Sequence, residues 1–171
     1  TAARKAAGEE LAARVCEVLG FLDMPRVRFA VSVLPRREGE GAVYRRDGAD
    51  AVEFLLATNP GEPLLPLSSI ASGGELARIM LAMKNVLAEK DQVATLIFDE
   101  VDTGVSGRAA QKVAEKLRAV AQHKQVLCVT HSAQIASLAD THFKIVKTTT
   151  DKSASSTVIR LDTEARVAEV A

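Results

Sequence analysis

The stretch Thr95-Leu96-Ile97-Phe98-Asp99-Glu100 decides the fold. An apolar run, Val93 to Phe98, ends abruptly in two adjacent carboxylates. A run of this length and content predicts a central strand of a parallel sheet, buried on both faces. Two acids at its end are costly unless something uses their charge. Asp99 suits Mg²⁺, held through water. Glu100 suits a base that orients and deprotonates an attacking water. The plainer alternative is a pair of acids solvated at a strand end, or capping the next helix.

Upstream, Leu67 to Lys84 reads LSSIASGGELARIMLAMK. From Ser72, the residues Leu76, Ile79, Met80, Met83 and Leu87 recur at helical spacing. Ser72 takes the N-cap position, where its hydroxyl and the free N–H groups of the first turn suit an anion. Gly73 and Gly74 let the backbone approach a phosphate with no side chain in the way. Ser72 and Glu75 also form a Ser-x-x-Glu capping box, which needs no ligand.

Downstream, Asp102-Thr103-Gly104 predicts a tight loop into a helix over 106–122, for which Ser106 is the plain helix cap. Ala110, Val113, Leu117 and Val120 mark that helix's inner face. Val126 to Thr130 predicts a second buried strand, followed by His131. Strand, helix and strand in this order make a right-handed crossover within a parallel sheet. Ligands of such sheets bind beyond the carboxyl ends of the strands, where Asp99-Glu100 and Thr130-His131 both fall. A lone histidine after a strand is most often structural, but its imidazole also suits a terminal phosphate.

The flanks are less telling. Residues 1–22 carry Leu11, Val15, Val18, Leu19 and Leu22 at amphipathic spacing, and Pro25 closes that helix. Val27, Phe29, Val31 and Val33 alternate as one face of a half-buried strand, and Val52, Phe54 and Leu56 as another. Between them Arg36, Arg37, Arg45 and Arg46 flank a glycine-containing connection, as solvating side chains of a hairpin or as contacts to DNA phosphates. Phe143 to Lys147 and Thr157 to Leu161 predict a terminal hairpin, and 164–171 starts a helix that looks cut short.

Lys plus Arg and Asp plus Glu both number 22, so no global field attracts nucleic acid. Aromatic content of 4% with no Trp argues against a stacking platform for single strands. Cys16 and Cys128 read as reduced core thiols of a cytosolic protein. No apolar stretch is long enough to span a membrane, and no signal peptide is visible. Thr1 is not an initiator, which suggests a processed or excised piece.

Taken together, Ser72-Gly73-Gly74-Glu75 resembles the signature motif of ABC-type ATPases, and Thr95 to Glu100 resembles their Walker B strand. The wording of Phe54 to Pro63, Ala71 to Met80, Phe98 to Gly107 and Cys128 to His131 narrows this. It resembles the RecN family of bacterial DNA-repair proteins, SMC-like ATPases whose head halves lie at the two ends of one chain, separated by a coiled coil. The resemblance covers nearly the whole chain and is most specific across residues 52–147. It implies an α/β fold: the C-terminal lobe of a P-loop ATPase head, a parallel sheet flanked by helices with additional antiparallel strands. Residues 1–22 would be the helix at or after the end of the coiled-coil arm, and 23–171 the C-terminal half of the head.

The implied roles follow by position. Ser72, Gly73 and Gly74 would contact the terminal phosphate of ATP bound to a second head. Asp99 would serve Mg²⁺, Glu100 would be the catalytic base, Asp102 would lie in the D-loop at the dimer interface, and His131 would be the switch histidine. The implied partners are the N-terminal half bearing the Walker A loop, a second head in an ATP-sandwiched homodimer, and DNA, in a nucleoid-associated cytoplasmic protein with no membrane partner. The phosphate loop G-x-x-x-x-G-K-[ST] is absent, and no Gly-Lys pair occurs at all, so this stretch alone is expected not to hydrolyse ATP. The competing readings are an ATP-gated structural clamp with negligible turnover and another ABC-type subunit.

Overall fold

The computed structural model describes residues 1–38, 41–69, 73–150 and 153–171. The elements in chain order are α1 (Ala2–Phe21), β1 (Arg28–Pro35), β2 (Arg37–Glu38), β3 (Gly41–Ala42), β4 (Asp50–Ala57), β5 (Leu65–Pro66), α2 (Gly73–Leu87), β6 (Thr95–Phe98), α3 (Gly107–Ala121), β7 (Gln125–Cys128), α4 (Ala133–Ser137), β8 (Phe143–Thr150), β9 (Ser153–Arg160) and α5 (Thr163–Val170). A 3-10 turn, Leu67–Ser69, leads from β5 toward α2.

Two sheet systems share one core. The first is antiparallel, in the order β1-β4-β5, with Phe29 opposite Leu56. Its inner face carries Val27, Phe29, Val33 and Leu56, as the alternation predicts, while Val52 near the start of β4 is exposed. Helix α1 lies on this sheet with Val15 and Leu19 buried. Gly8 permits the close approach, because a Cβ there would stand 3.0 Å from the Cβ of Val31. At the far end of α1, buried Asp50 accepts hydrogen bonds from the Thr1 hydroxyl (2.7 Å) and Arg4 Nη1 (2.9 Å). Those bonds, Thr1's first, hold its carboxyl down at about 2.

The second system is the parallel pair β6-β7, in register from Thr95 opposite Gln125 to Phe98 opposite Cys128. Leu96 and Phe98 point into the same core as Ile79, Leu81 and Met83 of α2, and Val113, Leu117 and Val120 of α3. All four residues expected on the inner face of α3 are buried. The strand expected to be buried on both faces is covered on one. Ile97 is 71% exposed, and Leu127 and Val129 are exposed as well. The physical reason is that the shared core takes up Leu96 and Phe98 on one side, whereas among the described residues nothing buries Ile97, Leu127 or Val129 on the other. Downstream, β8 and β9 form the terminal hairpin, with Phe143, Ile145 and Val158 exposed. Helix α5 follows, capped by the Asp162 carboxylate, which accepts from Ala165 N at 2.9 Å.

Candidate functional site

The register of the parallel pair fixes the site. Phe98 lies opposite Cys128, and Val129 N donates to Phe98 O at 2.9 Å, so the chain leaves both strands at the same level. Asp99-Glu100 and Thr130-His131 are therefore delivered side by side beyond the carboxyl ends of β6 and β7.

Glu100 turns the chain. Its φ is 58°, a left-handed conformation that costs a residue with a Cβ roughly 1–2 kcal/mol. Its carbonyl accepts from Thr103 N at 3.0 Å, and Asp102 O accepts from Val105 N at 3.2 Å, which together close the loop that leads into α3. Such local strain is found where surrounding structure over-determines the backbone. Ser106 takes the N-cap position of α3 in an extended conformation, and its side chain accepts no capping hydrogen bond.

Asp102 is the most deeply engaged of the candidate residues, at 2% exposure. Its Oδ2 accepts from the Thr130 hydroxyl (2.5 Å) and the backbone N–H groups of His131 (3.1 Å) and Ser132 (3.2 Å), and His131 Nδ1 lies 3.3 Å away. Burial pushes this carboxyl up, but the Thr130 and His131 hydrogen bonds outweigh it, and the group is held below the usual carboxylate range. Oδ2 is turned inward because three donors from the segment after β7 converge on it. The His131 ring, by contrast, is 81% exposed. The carboxylate holds the His131 backbone from below, and the ring faces outward.

Helix α2 reaches the same place from the other side. A Cβ at Gly73 would lie 2.4 Å from Glu100 Oε2, so the carboxylate rests against the first turn of the helix. A Cβ at Gly74 would lie 2.9 Å from both Cβ and O of Thr103. The two glycines thus serve a close approach of α2 to the loop 100–105. Ser72 lies outside the described residues. Asp99 stands exposed at the end of β6.

One residue of the site was not singled out by sequence reasoning. Arg78, one turn past Gly74, is 7% exposed, and its Nη1 donates to Thr103 O at 2.8 Å. The available signal was a cation set among the apolar positions of α2. Of the arginines flanking the β1–β4 connection, Arg36 is held by both oxygens of Asp47 (2.8 and 2.9 Å). Cys128 lies beside the site; burial, then the charges of Asp102 and Asp99, raise its thiol to about 11.

The arrangement can present an exposed carboxylate, a second carboxylate on a strained turn and an oriented imidazole within one rim. Among the described residues no group of three or more His, Cys, Asp or Glu side chains forms a cation cage. The donor set fits a cation such as Mg²⁺, which takes one or two protein carboxylates and completes its shell with water and phosphate.

No protein-family model matches the chain. The chain is similar to DNA repair protein RecN of Halalkalibacterium halodurans, at 45% identity over 168 residues, covering 98% of this chain and 30% of that protein. The RecN of Treponema pallidum is 46% identical over 170 residues, with 98% and 30% covered. That of Deinococcus radiodurans is 43% identical over 172 residues, with 99% and 29% covered. The chain therefore spans about 30% of the length of the curated relatives it matches. Among solved structures, the Smc head domain with a coiled coil and joint from Pyrococcus yayanosii matches at TM-score 0.62 and 18% identity, over 95% of this chain and 28% of that one. The Smc head domain of Pyrococcus furiosus, bound to the C-terminal domain of ScpA, matches at TM-score 0.58 and 17% identity, over 94% and 37%. At these identities the likeness establishes the fold, that of one part of an SMC head.

Proposed function

We propose that this chain, a segment of the RecN family of DNA repair proteins, is the C-terminal half of an ATP-hydrolysing, SMC-like head that acts in double-strand-break repair and recombination. The observation that carries the reading is the joint delivery of Asp99-Glu100 and Thr130-His131 at one level beyond a parallel strand pair, with the Gly73-Gly74 turn of α2 against the same loop.

In this reading residues 1–22 end the coiled-coil arm and 23–171 form the half-head. Asp99 would hold Mg²⁺, and Glu100 would accept the proton of the attacking water. His131, oriented by Asp102, donates a hydrogen bond to the terminal phosphate. Ser72, with the backbone N–H groups of Gly73 and Gly74, reaches the terminal phosphate of ATP bound to a second head. Bound Mg²⁺ would supply neutralisation of phosphate charge. The Walker A loop comes from the N-terminal half, and the bare face of β6-β7, with exposed Ile97 and Leu127, supports a further layer of structure on that side. ATP binding favours the homodimer and hydrolysis releases it, which gates the holding or bridging of DNA in the nucleoid. No helix among the described residues is long and apolar enough to cross a membrane.

The test is ATP hydrolysis by this chain mixed with a separately made N-terminal half, with and without Glu100→Gln. Turnover in the mixture only, abolished by the substitution while ATP-dependent dimers persist, is the expected result. A Glu100→Gln mixture that turns over at the wild-type rate removes Glu100 from the base role. Stable assembly and ATP binding with no turnover would favour the clamp.

A further inference from the structure

We propose that Arg78 is a positioning residue that locks the loop 100–105 to α2, so that Asp102, and through it His131, keep a fixed place relative to the Gly73-Gly74 turn. For its catalytic readout this rests on the ATPase reading above; the lock itself does not.

Arg78 is a buried cation that the proposed chemistry does not use. It is 7% exposed, and its Nε has no hydrogen-bond partner among the described residues. Burial lowers its pKa, against an opposing pull from Glu75 one turn earlier. A guanidinium placed this way is a poor choice for stability alone, because an apolar chain of similar length fills the same space without the desolvation cost. What arginine supplies is a donor at a fixed point. Nη1 reaches Thr103 O at 2.8 Å, on the side of the loop that Gly74 already approaches closely.

The loop is clasped twice. Arg78 holds it from α2 through the Thr103 carbonyl, and Asp102 holds it from the segment after β7 through Thr130, His131 and Ser132. Thr103 and Asp102 are neighbours in sequence, so a displacement of α2 reaches the His131 backbone through one short turn. In a head dimer the Gly73-Gly74 turn serves the opposite nucleotide while His131 serves its own. Arg78 then couples the two sites.

The experiment uses the full-length protein with Arg78→Met, which keeps the apolar stem and removes the donor, and Arg78→Lys, which restores one donor. Hydrogen exchange of the 100–105 and 130–132 amides is measured beside steady-state ATP hydrolysis. For Arg78→Met, exchange at Thr103 and Val105 rises about tenfold or more while α3 stays protected. Its kcat falls about tenfold or more with KM little changed, as expected for a misplaced catalytic group. Arg78→Lys recovers most of kcat. Unchanged exchange in Arg78→Met overturns the lock, and raised exchange with wild-type kcat overturns the positioning role. If the wild-type protein has no turnover but exchange responds as stated, the lock stands and the ATPase reading falls.

Discussion

Replacing Asp102 with alanine tests the hydrogen-bonded centre of the site. The substitution removes the acceptor for the Thr130 hydroxyl and for the N–H groups of His131 and Ser132. Ser132 N keeps a second acceptor in Thr130 Oγ1 at 3.0 Å, so its loss is partial. The His131 N–H and the Thr130 hydroxyl lose their partner outright. At about 1–2 kcal/mol for each of the two donors, since Thr130 is only half-buried and His131 exposed, the cost comes to roughly 2–4 kcal/mol. For a chain of this size that corresponds to a fall in Tm of roughly 5–15 °C. Asp102→Asn, which keeps one acceptor oxygen but not the charge, should lie between the two.

The pH dependence has a definite sign. Asp102 titrates lower in the folded chain than the usual value of about 3.9. Its contribution is present above that value and is lost as pH falls through the depressed folded pKa. Urea unfolding at pH 7 and again below about pH 4 should therefore show the gap between wild type and Asp102→Ala closing in acid. A variant within about 0.5 kcal/mol of wild type at pH 7 would refute the reasoning, because it would mean that water satisfies those donors equally well.

Two further outcomes follow from the same geometry. Gly74→Ala should destabilise by about 1–3 kcal/mol in thermal unfolding, since its Cβ meets the backbone oxygen of Thr103 at 2.9 Å. Gly73→Ala should cost far less, because the atom it meets is the movable end of the Glu100 side chain. The Cys128 thiol, raised to about 11, should resist alkylation at pH 8 in the native chain and react as the pH approaches that value. Rapid labelling at pH 8 would mean that the end of β7 opens readily.

Much of the fold was legible because it is local. The period of Ala110, Val113, Leu117 and Val120 gives the inner face of α3, and alternation gives Val27, Phe29 and Val33. An alternating or helical period reports which residues share one face of their own element. It does not report how many layers pack on a strand. Ile97, inside an apolar run, looked buried and is exposed, because the run is equally compatible with one covered face or two.

The candidate site divides the same way. Sequence alone determined the order glycine turn, acidic strand end, Asp-Thr-Gly loop and histidine, and thereby which chemistry is available. It did so because each piece is a short run whose residue types carry their own function. Only the tertiary structure decided what those residues do to one another. It turned Asp102 inward onto a segment 28 residues away, set Arg78 against a carbonyl 25 residues away, and held Glu100 in a left-handed turn. Which loop meets which helix is fixed by the register of β6 on β7 and by the packing of α2 and α3 on the shared core. Those are long-range choices that no local period encodes.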